Sequence, residues 1–399
     1  MKFIFYYEYK DIVGGITSLY VTLFEEMVKR NVNFIFFNYT DGIVNKQLKN
    51  KGIKVPLLDI EEFNWTSLSD IVSADDVIVL TSFDECFAKF LKINPKVIYY
   101  NVNELLGEIS RYKFGLNLRF LGRRLVSKLD ESHSLVFMDE TGINNAQNKL
   151  GYSMRNKYFL PVPIKRSAVN KYAPGSLASG EIRLSYVGRS VVWKMMPLKK
   201  ILDDLLILSR DFRINFTVIV DSINDMEQFI NVDHFRNKNF KLTVLEKVNP
   251  NDLPEILLAE TDIGFGMGTV LLDYGKIGIP VILVDASKNV FPDNYKYKWS
   301  YEIENFCLGK FIESHLGDFD GFEIKEILSE AFADPSYLQK ISDKVYNYTN
   351  TFHGVSGFVS RLLNYSEKAS FRLRDAQPYI IHYSPLHQAV KKIISRSAN

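Results

Sequence analysis

The chain has 399 residues, 46% of them apolar and 14% aromatic, and its charged residues leave a formal net charge of +2. Those values exclude a disordered chain, allow two domains of ordinary size and carry no global bias toward nucleic acid, so no nucleic-acid partner is expected. Two cysteines, Cys86 and Cys307, stand far apart in apolar surroundings, which points to buried thiols in a reducing, cytoplasmic compartment over a disulfide framework.

The N-terminal run Phe3 to Tyr7 is too brief for a secretory signal and reads as a first strand. It opens an alternation in which Asn33 to Phe37, Val77 to Leu80, Lys96 to Tyr100 and Ser134 to Met138 are further buried strands, the pattern of parallel βαβ units. Between the first two, Ile16, Leu19, Tyr20, Leu23, Phe24 and Met27 recur at helical spacing, which places Gly14 and Gly15 at a helix entrance. Pro161 to Gly180 is rich in proline, glycine, serine and alanine and reads as a linker. Beyond it the strands are Arg183 to Val187, Asn215 to Val220, Lys241 to Leu245, Thr261 to Phe265 and Pro280 to Val284, with a helix over Pro197 to Ser209. Helices over Asp334 to Tyr348 and Val355 to Leu363 are expected to close the second domain. The expected fold class is therefore α/β, with Rossmann-like doubly wound domains at 1–165 and 166–364 and a basic tail at 365–399 that packs back on the first domain or on a membrane.

Ligands of doubly wound sheets bind outside the carboxyl ends of the strands. Strand Arg183 to Val187 runs into GRSVVWK, which puts Gly188, Arg189 and Lys194 at such an edge, where two cations suit a diphosphate leaving group. As loop charges they would equally be solvated. Gly264, Gly266 and Gly268 precede a short helix that carries Asp273. Amides at Gly268 and Thr269, with the Thr269 hydroxyl, suit a phosphate, although such glycines also serve turns and close packing.

The ordered set of a glycine pair after the first strand (Gly14, Gly15), prolines at mid-chain (Pro161, Pro163), Gly188/Arg189/Lys194, and a glycine turn leading to an acidic helix followed by GIPVIL resembles the GT-B glycosyltransferases, nearest to the retaining family-four type. The resemblance implies two Rossmann-like domains facing an interdomain cleft, and a nucleotide-sugar substrate, UDP- or GDP-linked, with no metal and no other cofactor. It assigns donor phosphates or sugar to Gly14 and Gly15, the pyrophosphate to Arg189 and Lys194, and the ribose hydroxyls to Asp273. The family's pair of glutamates eight residues apart is broken, because Phe265 stands eight residues before Asp273. An inverting outcome would need a general base, for which Glu8, Asp11 and Glu104 are the candidate catalytic residues; Asn101 and Asn103 are candidate acceptor contacts. A sugar-nucleotide epimerase and a catalytically silent GT-B partner subunit remain as alternatives.

The DxD form at Asp318 and Asp320 reads as a loop and helix cap with no preceding strand, and the scattered histidines offer no metal set. Residues 109–128 carry Arg111, Lys113, Arg119, Arg123, Arg124 and Lys128 without one acid, interleaved with apolar side chains; the tail carries six Lys or Arg against two acids. Either is a solvated basic face or a peripheral contact with anionic lipid at the inner membrane. In resembling enzymes such patches accompany lipid-linked acceptors, which implies an oligosaccharide or lipid-linked acceptor in bacterial surface polysaccharide, such as O-antigen, biosynthesis.

Overall fold

A computed structural model describes residues 1–12, 15–83, 87–102, 119–167, 170–174, 177, 180–235, 238–314, 319–334 and 336–380. The chain divides into two units, one of residues 1–163 joined by the segment from Val355 onward, the other Ile164–Gly354.

The first unit follows its apolar runs. Strands β1 (Phe3–Tyr6), β2 (Phe34–Asn38), β3 (Leu57–Asp59), β4 (Val77–Leu80), β5 (Lys96–Asn101) and β6 (Leu135–Phe137) form a parallel sheet in the order β3-β2-β1-β4-β5-β6. Every residue of β1, β2 and β4 is buried, because helices cover both faces. Helix α1 (Gly15–Lys29) brings Tyr20 and Phe24 against one face, where the Phe24 ring lies 4.7 Å from that of Phe36 and 5.0 Å from that of Phe34. On the other face Phe37 stacks on Trp65 at 5.3 Å and meets Phe90 edge-on at 5.4 Å. Shorter helices α2 (Ile43–Asn50), α3 (Leu68–Ile71) and α4 (Phe87–Phe90) lead to α5 (Arg119–Glu131) and α6 (Glu140–Leu150). Asp139 caps α6 by accepting the Gly142 N–H, and burial pushes its carboxyl above the usual range.

The second unit repeats the plan. Strands β7 (Glu181–Val187), β8 (Arg213–Val220), β9 (Phe240–Glu246), β10 (Ile263–Gly266) and β11 (Val281–Leu283) are parallel, and β12 (Lys298–Trp299) adds an antiparallel edge, in the order β12-β11-β10-β7-β8-β9. Helix α7 (Val192–Leu208) follows β7, α8 (Ile223–Glu227) follows β8, α9 (Leu253–Glu260) precedes β10, and α10 (Thr269–Lys276) joins β10 to β11. Helices α11 (Ile324–Ala333) and α12 (Tyr337–Phe352) complete it. Gly264 is bare because a Cβ there would lie 2.6 Å from the Tyr274 ring, whose hydroxyl bonds Ser185 Oγ at 2.8 Å.

Three expectations change. Helix α13 (Val355–Lys368) does not close the second unit: it packs on α1, buries Phe358, Val359 and Leu362 in the first unit's core, and takes the Arg30 guanidinium on the Ser356 carbonyl at 2.9 Å. Asp334 ends α11 instead of opening a long helix, and its Oδ1 accepts the Ser336 N–H at 2.8 Å. Helix α7 begins five residues before the expected Pro197. The proline has no N–H, so the Trp193 carbonyl is left over inside the helix and accepts the Ser287 N–H at 3.1 Å. Residues 369–380 of the tail lie on the first unit, where Phe371 and Leu373 are core residues and Arg374 donates to the Leu91 and Lys92 carbonyls. The rest of the tail lies outside the described residues.

Candidate functional site

The second sheet reverses direction of strand order at β7 and β10, which are neighbours: Phe265 pairs with Tyr186, and that register carried forward brings Gly188 level with Met267. The two motifs singled out in the sequence therefore end at the same carboxyl edge. Gly188 is buried, and a Cβ on it would lie 2.7 Å from the Tyr186 ring; the Tyr186 hydroxyl in turn donates to the Lys194 carbonyl at 3.0 Å and pins the first turn of α7. Arg189 is exposed. Lys194 is 9% exposed. Neither cation makes an ion pair with a carboxylate among the described residues.

Instead, both lie against an indole. The Arg189 Cζ is 5.9 Å and the Lys194 Nζ 5.2 Å from the centre of the Trp193 ring. Burial pushes Lys194 down to about 8, Arg189 adds to the shift, and Asp221 pulls the other way. Asp221, at the end of β8, accepts the Ser190 N–H at 2.6 Å; burial raises its carboxyl, but the Ser190 bonds and Arg189 hold it below the usual range. A buried ammonium beside a second cation is a site that gains from an anion.

The glycine turn is built differently from expectation. Gly268 has φ +68, a conformation that favours glycine, but its N–H donates to the Leu308 carbonyl at 2.6 Å. Among the described residues the Thr269 and Val270 N–H groups at the start of α10 meet no protein acceptor, as the first amides of a helix commonly do. Gly266 is buried, with Val270 Cγ1 3.1 Å from where its Cβ would stand. Thr269 is exposed at the helix entrance, and Asp273, one turn on, is paired with Lys276 at 2.7 Å. Phe265, eight residues before Asp273, is fully buried against Phe216 and Tyr297.

In the first unit, Glu8 follows β1 and its Oε2 accepts the Tyr6 hydroxyl at 3.5 Å, while Lys89 donates to that hydroxyl at 2.7 Å. Asp11 is exposed; Gly15 opens α1 and is exposed too. Asn101 ends β5 at 4% exposure, and its Nδ2 has no partner among the described residues. Gly14, Asn103, Glu104, Cys86 and Asp318 lie outside the described residues, as do 109–118 of the basic segment. Cys307 is buried and forms no disulfide among the described residues. Asp320 is exposed and pairs with Lys298 at 3.5 Å. Among the described residues no group of three or more His, Cys, Asp or Glu is placed to hold a metal ion. None of their helices is long and apolar enough to cross a membrane.

Sequence reasoning missed Trp193, although it stands between the two cations it supports. It also missed the segment that follows β11, which reaches back to this edge.

No known family's profile matches the chain, and no curated protein matches it by sequence. Solved structures do. Anabaena HepE in complex with UDP and glucose is 12% identical with a TM-score of 0.53, over 91% of this chain and 98% of that one. A glycosyltransferase from Rickettsia africae is 10% identical with a TM-score of 0.57, over 92% and 98%. TarM is 10% identical with a TM-score of 0.54, over 92% and 99%. At these identities the likeness is one of fold. The chain has the GT-B fold, with two Rossmann-like units.

Proposed function

We propose that the protein is a glycosyltransferase that moves a sugar from a nucleoside diphosphate sugar to an acceptor hydroxyl. The observation that carries this reading is the pair of cations that make no carboxylate ion pair among the described residues, Arg189 just after β7 and Lys194 in the first turn of α7, beyond the strand that neighbours β10 and the turn opening α10. In the reaction the bond from the anomeric carbon to the diphosphate oxygen breaks, and a bond from that carbon to the acceptor oxygen forms. The acceptor's proton passes to a base, for which Glu8 and Asp11 are the proposed groups in the first unit and Glu104 the third. The leaving diphosphate gains charge, and a guanidinium and an ammonium stabilise it best where burial keeps water away. Asp273 is proposed to take the ribose hydroxyls. UDP is favoured as the nucleotide because HepE was solved with UDP. The retaining family-four type is the nearest likeness by motif order.

Thermal melting with UDP and GDP tests the reading. A ligand at about 100 times its Kd adds roughly 2.7 kcal/mol, which raises the melting temperature by about 5–10 °C for a unit of this size. Absence of any shift with either diphosphate overturns it.

We further propose a lipid-linked oligosaccharide acceptor of bacterial surface polysaccharide biosynthesis, approached at a membrane face. Helix α5 supports this. It buries Leu125, Val126 and Leu129 in the first unit and leaves Phe120, at 54% exposure, with Arg123 and Arg124 exposed at its start. Each basic residue near an anionic surface contributes about 1 kcal/mol, so Arg123→Glu with Arg124→Glu should weaken binding to phosphatidylglycerol vesicles roughly tenfold or more. Vesicle binding that does not change removes the membrane contact.

A further inference from the structure

Like charges on one edge repel, and Arg189 and Lys194 make no carboxylate ion pair among the described residues that would hold them together. Each is a long side chain, so ordering it on a ligand costs affinity. What the two share is the Trp193 indole, whose centre lies 5.9 Å from the Arg189 Cζ and 5.2 Å from the Lys194 Nζ, both inside the roughly 6 Å reach of a cation–π contact. The electron-rich face of the ring attracts each cation and so offsets the repulsion between them. That attraction is strongest where water is kept away, as it is at Lys194, which is 9% exposed. There burial and Arg189 disfavour the ammonium charge, while Asp221 and the indole favour it.

The indole is itself held from two sides. It stands in the first turn of α7, where Pro197 lacks an N–H and the Trp193 carbonyl accepts the Ser287 N–H at 3.1 Å instead. Ser287 belongs to the segment after β11, and that segment is pinned in turn: the Glu313 carboxylate accepts the Ser287 hydroxyl at 2.9 Å and the Lys288 N–H at 2.6 Å. On the ring side, Phe311 meets the indole at 6.0 Å with the planes tilted by 56°. Phe311 is tied to the same segment, because the Ala286 N–H donates to the Lys310 carbonyl at 2.7 Å and the Ile312 N–H to the Ala286 carbonyl at 3.0 Å. Backbone and ring of Trp193 are therefore anchored to one loop. The indole is a fixed surface, and the two cations are the adjustable parts that it collects.

We propose that Trp193 is the positioning residue of the candidate phosphate site: its indole gathers the Arg189 guanidinium and the Lys194 ammonium before any ligand arrives, so that one diphosphate meets both. The proposal rests on the transferase reading above for the identity of the ligand, and on the ring geometry for the role of Trp193.

Calorimetry on the full chain with UDP, GDP and inorganic pyrophosphate tests it. Pyrophosphate has neither base nor ribose, so it reads the cations alone. Trp193→Leu should weaken the binding of UDP and of pyrophosphate by the same factor, about tenfold, since one or two long side chains must then be ordered as the ligand binds. Trp193→Phe keeps a ring with a weaker face and should recover part of the loss. A tetrafluorinated tryptophan at position 193 keeps the shape of the indole but withdraws electrons from its face, so it should lose affinity as Trp193→Leu does, and it serves if Trp193→Leu unsettles α7. In Arg189→Ala, where one of the two cations is gone, the further loss on Trp193→Leu should shrink to about threefold, as coupled partners require. Affinity that survives fluorination assigns Trp193 to packing, and a loss for UDP without one for pyrophosphate assigns it to the base. Either result overturns the proposal while nucleotide binding stands. If pyrophosphate binds and neither UDP nor GDP does, the transferase reading falls, and the pyrophosphate affinities of the variants still decide the role of Trp193. If none of the three binds, both fall together.

Discussion

On the proposed function, Arg189→Ala or Lys194→Ala is expected to lower the affinity for UDP by about 10–100-fold each, the worth of one charge-assisted hydrogen bond to a phosphate. The two differ in how they respond to pH. Burial, with Arg189 adding, pushes the Lys194 ammonium down to about 8, so in the free protein it loses its proton near that pH. A bound diphosphate favours the charged form and raises that value. The complex then holds more protons than the free protein above about pH 8, and affinity must fall there as pH rises, by up to tenfold per unit. Wild type and Arg189→Ala should both show this fall in titrations across the alkaline range. Lys194→Ala should bind weakly and show no such fall; a slope that persists in it would assign the proton elsewhere. Without ligand the sign is opposite. Between about pH 8 and the ordinary lysine value the unfolded chain keeps a proton that the folded chain has released, so Lys194 makes folding more favourable as pH climbs through that window.

Asp262→Ala is expected to be the most destabilising substitution in the second unit. The carboxylate is fully buried and accepts the Arg183 N–H at 2.8 Å and the Arg183 guanidinium at 2.7 and 3.3 Å. It ties the start of β7 to β10, the two central strands whose ends carry the candidate site. Removal leaves a guanidinium at 21% exposure without its carboxylate, a change that costs about 3–5 kcal/mol and lowers the melting temperature by roughly 10 °C. Differential scanning calorimetry reads it, and a loss below about 1 kcal/mol would show that solvent replaces the pair.

Strands buried on both faces were legible because each needs a continuous apolar run, and FIFY, FIFF, VIVL and KVIYY supply one. Edge elements do not. Strand β3 is three half-buried residues and β12 only Lys298 and the buried Trp299, so neither leaves a pattern that outweighs the loops around it. The start of α7 was hidden by Pro197, which normally marks a helix beginning; here it sits inside the helix because the Trp193 carbonyl finds a partner at Ser287. The same limit applies to the candidate site. Cations after a strand can be read from spacing, since the strand fixes which edge they reach. That the Gly268 amide is already taken by Leu308 could not be read, because forty residues of chain separate the two.

Helix α13 fills the apolar face of the first unit beside α1, yet it is made after the whole of the second unit. On the ribosome the first unit therefore emerges with that face uncovered, while the second can complete its core as soon as Gly354 is clear. The order of synthesis and the order of closure are inverted: the half that begins the chain is finished last, by residues near its end. A nascent or truncated chain that stops before Val355 presents Phe5, Tyr20, Leu23 and Tyr100 to chaperones instead of to Phe358 and Leu362.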